Sequence, residues 1–223
     1  FESGVTHRPV RDRRFDITAH FARANMNNNN RVDEVLAALP DGAPATEVEF
    51  ARQFLRNFPA LESGDDDPSA RARLISGFFD FLRQRKPSEL LIRVYNPSEP
   101  EHGWSSSHTV VEMVNDDMPF LVDSVVLALS RLDIGVHLII HPVVRLRRDQ
   151  GGHFLAMADD GTEEGTAESL IHIRIDRQTS PDALARIERR VRSALADVRV
   201  AVADWKAMKT RATEIADELA ESR

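Results

Sequence analysis

The sequence predicts an α+β domain in which strand, helix, strand, strand, helix and strand follow one another, preceded by a small helical region. Three observations carry this. Thr109–Asn115 (TVVEMVN) and Ser169–Asp176 are short runs rich in β-branched residues. Pro119–Leu132 and the stretch after Ser180 repeat apolar residues every three or four positions. Val136–Arg147 alternates instead, with Val136, Leu138, Ile140, Val144 and Leu146 apolar and His137, His141, Arg145 and Arg147 polar.

Taken in order, residues 1–30 read as a flexible or vector-derived tail, rich in arginine and ending in Met26 and four asparagines. Residues 31–107 read as a helical region leading into a strand and a loop. Thr46-Glu47-Val48-Glu49 fits a capping box. Ala51, Phe54, Leu55 and Phe58 then follow helical spacing. After an acidic turn at Glu62–Asp67, Pro68 opens a second helix with Leu74, Ile75, Phe78, Phe79 and Leu82 on one face. Glu89–Tyr95 is a strand. Asn96–Ser107 holds two prolines, a glycine and four serines and reads as a loop.

Residues 108–203 form the expected main domain. Strand 109–115 is followed by a helix that directs Leu121, Val122, Val125, Val126, Leu129 and Leu132 inward. The long strand 136–147 then turns at Asp149–Gly152 into a short arm, His153–Ala158. Asp159–Ala167 is an acidic loop before the strand at 169–176. Ser180-Pro181-Asp182 starts a helix, with Ser as cap, Pro in the first turn and Asp at the positive end of the dipole. Arg199–Ala203 (RVAVA) is expected to be the last strand. This order is the βαββαβ, ferredoxin-like layout with one added hairpin arm, its helices on one sheet face and its other face open. Residues 204–223 then form a linking helix. Trp205, Met208, Ala212, Ile215 and Leu219 give it a heptad seam.

The composition excludes several classes. A net charge of -7 argues against a nucleic-acid partner, for which a basic field supplies most of the affinity. The absence of cysteine removes disulfides and thiolate metal sites and fits a cytoplasmic location. No apolar run is long enough for a membrane helix. The first residue is Phe1 and the last lies in a helical pattern, so the chain reads as a piece of a longer protein.

The paired carboxylates Asp116 and Asp117 stand just before a proline-led helix. There a carboxylate caps free amides, which is a better fit than a catalytic dyad or a metal site. Such a turn can also form the lip of a pocket, since helix N-termini bind carboxylates. His137, His141 and His172 share a face with Arg145, Arg147 and Arg174, and that cationic surround disfavours zinc. A polar sheet face meeting another chain or domain is expected instead. No G-x-G-x-x-G, P-loop, G-x-S-x-G or H-E-x-x-H is present, and no nucleophile, base and oxyanion set converges.

The strings TVVEMVND, DDMPFLVDSV, HPVVRLRRD, ESLIHIRIDR and VAVADWKAM together resemble the N-terminal region of the large bacterial NAD-specific glutamate dehydrogenases. The resemblance runs from about Val48 onward and is sharpest from Thr109 to Met208. It implies a parent that oxidises L-glutamate to 2-oxoglutarate and ammonia, with NAD and glutamate held outside this piece. It implies an ACT-like domain here, a module that binds amino acids or mediates subunit contacts. Its expected partners are the rest of the same polypeptide, further copies in a homo-oligomer, and an amino-acid effector. No cofactor, metal or catalytic residue is expected within these residues. The effector would lie against Asn115, Asp116, Asp117, Met118, Pro119, Phe120 and Leu121. Asn115 and Asp117 would take its amino group, and the amides after Pro119 its carboxylate. ACT modules usually carry glycine where Phe120 stands, so a side chain that fills the pocket or blocks backbone approach is the expectation at that position.

Overall fold

The computed structural model describes residues 29–56, 58, 67–158 and 164–221. The tail expected over residues 1–30, all but its last two residues, lies outside them. So do most of the acidic turn 62–67 and the first half of the loop 159–167.

Three helices come first: α1 (Asn29–Ala37), α2 (Ala45–Arg56) and α3 (Pro68–Leu82). Asp67 caps α3, its carboxylate accepting from the Ser69 amide at 3.0 Å, with Pro68 following. The expected capping box at Thr46 is not one. α2 starts at Ala45, which puts Thr46 inside the helix, and Glu49 accepts from Gln53 at 3.1 Å; Glu47 accepts from Ser76 Oγ of α3 at 2.5 Å. Phe50, Phe54, Phe58, Phe78 and Phe79 interlock between α2 and α3, with ring centroids 5.3–6.4 Å apart.

The sheet follows. Its strands are β1 (Leu91–Tyr95), β2 (Thr109–Asp116), β3 (Val136–Ile140), β4 (Val143–Arg148), β5 (Phe154–Met157) and β6 (Thr166–Ile175). A four-residue helix, α4 (Glu99–His102), interrupts the expected loop after β1. α5 (Leu121–Ser130) joins β2 to β3, and α6 (Pro181–Glu221) follows β6. The strand order is β1-β2-β6-β4-β5, all antiparallel, with β3 also on β6. The long strand expected at 136–147 is therefore two strands, each against one half of β6. The break falls at His141-Pro142. Proline has no N–H to give the ladder, but the Pro142 carbonyl still accepts from the Leu170 amide at 2.9 Å.

Two expectations are corrected. Arg199–Ala203 is not a strand; α6 runs through it without a break for 41 residues. The alternation RVAVA spans five residues only, whereas Ile187, Val191, Leu195, Val198 and Val202 continue a helical stripe that packs on the sheet. No glycine or proline occurs from 182 to 221 to stop it. The edge beside β2 that this strand would take is occupied by β1. The second correction concerns the open face. α1–α3 cover one side of the sheet through Val110, Val114, Leu138, Ile140 and Leu170, while α5 and α6 cover the other through Val111, Met113, Ile139, Ile171 and Ile173. The histidines and arginines expected on one polar face are split: His172 and Arg174 are buried on the side that the helical region covers, whereas His137 and Arg147 are exposed.

Candidate functional site

β2 ends at Asp116, and the chain turns through residues 117–120 before α5 begins at Leu121. Phe120 makes the turn. It sits at the helix N-cap with φ 69° and ψ 8°, the left-handed region that side chains other than glycine rarely adopt. The backbone thus keeps the glycine conformation without the glycine. The ring stays 65% exposed, so it neither fills the turn nor joins the core.

Asp117 is not the cap. Its carboxylate accepts from Ser169 Oγ of β6 at 2.6 Å, and its amide donates to the Ala167 carbonyl at 3.0 Å. Ser169 Oγ also meets His141 Nε2 at 3.1 Å. The hydroxyl proton goes to the carboxylate, so the imidazole N–H donates to the hydroxyl oxygen. Burial holds the His141 pKa below its ordinary value, with the Asp117 charge pulling the other way. Ser, His and Asp thus meet here, but not as a nucleophile and its base: Ser169 is fully buried and already gives its proton to Asp117.

The seven expected site residues divide three ways. Asp117 to Leu121 line an open cleft of about 480 Å³, together with Val122, Asp123 and His141. Asn115 is buried on the α5/α6 side of the sheet, where its Oδ1 accepts from Arg199 of α6 at 2.8 Å. Asp116 accepts from Arg85 at 2.7 Å. It lines a separate cleft of about 620 Å³ with Arg147, Asp149 and Thr166. His141 and Ser169 were missed because only the break at Pro142 and the β2–β6 register bring them to the turn. Neither signal is local in sequence.

Two ion clusters flank the turn. Arg148 forks onto Glu168 at 2.7 and 2.9 Å, and Arg85 lies 3.3 Å from the same carboxylate. Arg85 and Glu168 are buried, and two cations balance Glu168 and Asp116. The second cluster lies between α3 and the sheet, where register places Arg93, Glu112 and His172 in one row across β1, β2 and β6. Arg93 Nε donates to Glu112 Oε2 at 2.6 Å, and His172 Nδ1 meets Glu112 Oε1 at 2.8 Å. Burial is the largest influence on Glu112 and raises its pKa. The His172 hydrogen bond and the Arg93 charge outweigh it and leave the carboxyl below its ordinary range. Burial pushes His172 down, so its ring is neutral. The three histidines are therefore dispersed: His137 pairs with Asp176 at 2.7 Å on the surface, far from the row that holds His172. Among the described residues no acid and histidine cluster has the form of a metal site, and no helix is long and apolar enough to cross a membrane.

The model of one protein family, described as the ACT1 domain of glutamate dehydrogenase, matches residues 50–191. The curated relatives include three NAD-specific glutamate dehydrogenases. That of Halomonas elongata is 32% identical over 203 residues, 90% of this chain and 13% of the relative. That of Pseudomonas aeruginosa is 38% identical over 126 residues, 56% of this chain and 8% of the relative. That of Mycobacterium tuberculosis is 27% identical over 148 residues, 66% of this chain and 9% of the relative. The chain thus spans 13% or less of the length of the relatives it matches. The family match runs from the middle of α2 into α6 and takes in the whole sheet and the β2–α5 turn, so the chain belongs to the glutamate dehydrogenase ACT1 domain family.

Proposed function

We propose that this chain is a non-catalytic regulatory and assembly domain of a large NAD-dependent glutamate dehydrogenase, which converts L-glutamate to 2-oxoglutarate and ammonia. The observation that carries the regulatory half is the β2–α5 turn. The first amides of α5 have no intrahelical acceptor, and they border the same cleft as the Asp117 carboxylate. An α-amino acid presents the complementary pair of charges. Its carboxylate would meet the helix N-terminus and its ammonium would meet Asp117. Asn115, which is tied to Arg199, plays no part in this reading.

The layout supports an ACT-like, ferredoxin-like reading in permuted form. β2, α5, β3–β4, β6 and α6 supply most of the βαββαβ unit, and β1 supplies the edge strand from the front of the chain. On this reading the domain draws a strand from the region 31–107. Residues 108–203 alone would leave the β2 edge unpaired. NAD does not fit these residues. No G-x-G-x-x-G opens a helix, and the described strands pair only with antiparallel neighbours, unlike the adjacent parallel strands of a dinucleotide-binding sheet. The dinucleotide belongs to other parts of the parent.

Titration calorimetry of the chain against each of the twenty amino acids tests the regulatory half. A saturable heat with one of them, lost on Asp117→Ala, is expected; silence from all at millimolar concentration defeats it. A second reading, a pure interaction module with no small ligand, is favoured by the exposed Trp205 and Met208 on α6. In that case calorimetry is silent while mass in solution shows association.

A further inference from the structure

We infer that α6 is a self-association device: two copies of this chain pair through antiparallel α6 helices, about a two-fold axis between Trp205 and Met208. This deepens the assembly half of the proposed role and is independent of any ligand at the β2–α5 turn.

The seam is longer than the part that protrudes. Counting from Val191, steps of three and four residues meet Ala194, Val198, Ala201, Trp205, Met208, Ala212, Ile215 and then Leu219, with no polar residue among them. The early part lies against the protein's own core, with Val191 and Val198 buried. Further on, no described residue covers it: Trp205 is 62% exposed and Met208 64%. Where the seam emerges it borders a groove of about 380 Å³ between α5 and α6, floored by Ala128, Ala194, Val198 and Ala201 and edged by Phe120 and Leu127. Both edge residues are large, apolar and exposed.

Charge identifies the occupant. On α6, residues 189–199 carry four arginines and one aspartate, and Arg131 of α5 borders the same groove. Residues 213–221 carry four acids and no base. A parallel pair would set like charges beside each other. An antiparallel pair lays the acidic end of one helix along the basic segment of the other. With the axis between 205 and 208, the seam positions from 194 to 219 meet one another in pairs. Trp205 faces the partner's Met208, Ala201 its Ala212, Val198 its Ile215 and Ala194 its Leu219. On the groove side Val198 thus receives Ile215, while Ala201 and Ala212 meet as a pair of small residues. The overlap from 194 to 219 is roughly 38 Å of helix.

The chain has no cysteine, so engineered ones report without interference. Sedimentation equilibrium from micromolar to submillimolar concentration is expected to show a monomer–dimer equilibrium, weakened about tenfold or more by Trp205→Asp, equal to about 1.4 kcal/mol. Trp205 lies beyond the packed core, so this variant keeps the domain folded, which circular dichroism checks. Under mild oxidation, a mixture of the Ala201→Cys and Ala212→Cys chains is expected to form the mixed disulfide, while Ala212→Cys alone stays uncrosslinked. A chain monomeric throughout overturns the inference and leaves the seam to another part of the parent polypeptide. A dimer indifferent to Trp205→Asp, or Ala212→Cys linking to itself in a parallel pair, overturns it too. Calorimetric silence toward amino acids leaves these outcomes unchanged, so the two tests fail separately.

Discussion

Removing the Glu112 side chain probes the buried row between α3 and the sheet. In Glu112→Ala, the His172 Nδ1–H loses its acceptor inside a fully buried site. An orphaned buried donor costs about 1–3 kcal/mol. Arg93 loses its carboxylate too. Its side chain is 31% exposed and still donates to the Gly77 carbonyl at 3.0 Å, so solvent and backbone recover part of that loss. Breaking a buried pair at one end costs about 3–5 kcal/mol, and these two facts place the loss near 3. Against a typical domain stability of about 5–15 kcal/mol that is a large share. With a urea dependence of about 2 kcal/mol per molar, the midpoint falls by about 1.5 M. Glu112→Gln is expected to lose less, about 1–2 kcal/mol. Its carbonyl can keep accepting from His172 Nδ1–H, so the ring keeps its tautomer, while Arg93 keeps its bond to the Gly77 carbonyl. Replacing the whole row by Arg93→Met, Glu112→Leu and His172→Leu is expected to return most of the stability. Urea melts followed by circular dichroism measure all three. A loss below about 1 kcal/mol for Glu112→Ala, or a glutamine variant as weak as the alanine one, refutes an ionised, doubly bonded Glu112.

Three further outcomes are expected. The same row makes the fold acid-labile: folded His172 stays neutral while the unfolded ring protonates below its ordinary 6.5, so stability declines as pH falls through that value. Glu112, held below its ordinary 4.5, adds a second decline as pH falls under that value. His172→Gln is expected to shrink the first limb, leaving the part that buried His141 contributes, as thermal melts across pH will show. Phe120→Gly relieves a left-handed residue whose ring is mostly exposed, and is expected to raise stability by about 1 kcal/mol, whereas Phe120→Val lowers it; melting temperatures decide. Gly152→Ala is expected to lose at least about 2 kcal/mol in urea melts. Gly152 has φ 86°, and a Cβ there would lie 2.3 Å from the Arg85 carbonyl oxygen. The affected turn also receives the Arg85 amide.

The elements that were legible in the sequence are those with a strong local period or a local stop signal. The phenylalanine-rich faces of α2 and α3, the strands β2 and β6, and the start of α6 at Ser180-Pro181 need only neighbours within a turn or two. The candidate turn was legible in the same way, because DDMPF announces a chain reversal before a helix. Three features were decided elsewhere. Whether RVAVA extends or coils depended on which strand already lay beside β2, and β1 had taken that edge. Which carboxylate faced which partner depended on cross-strand register. That register sends Asp116 to Arg85 and Asp117 to Ser169, and alternation turns Asn115 away from the face of Asp116, toward Arg199. The role of Phe120 depended on its backbone angles, which residue identity alone argues against. Local periodicity thus determined the helices, the inner strands and the place of the turn, because those follow from interactions a few residues apart. The partners of each charge and the fate of the sheet edges were settled only by tertiary structure, because they pair residues from 19 to 84 positions apart.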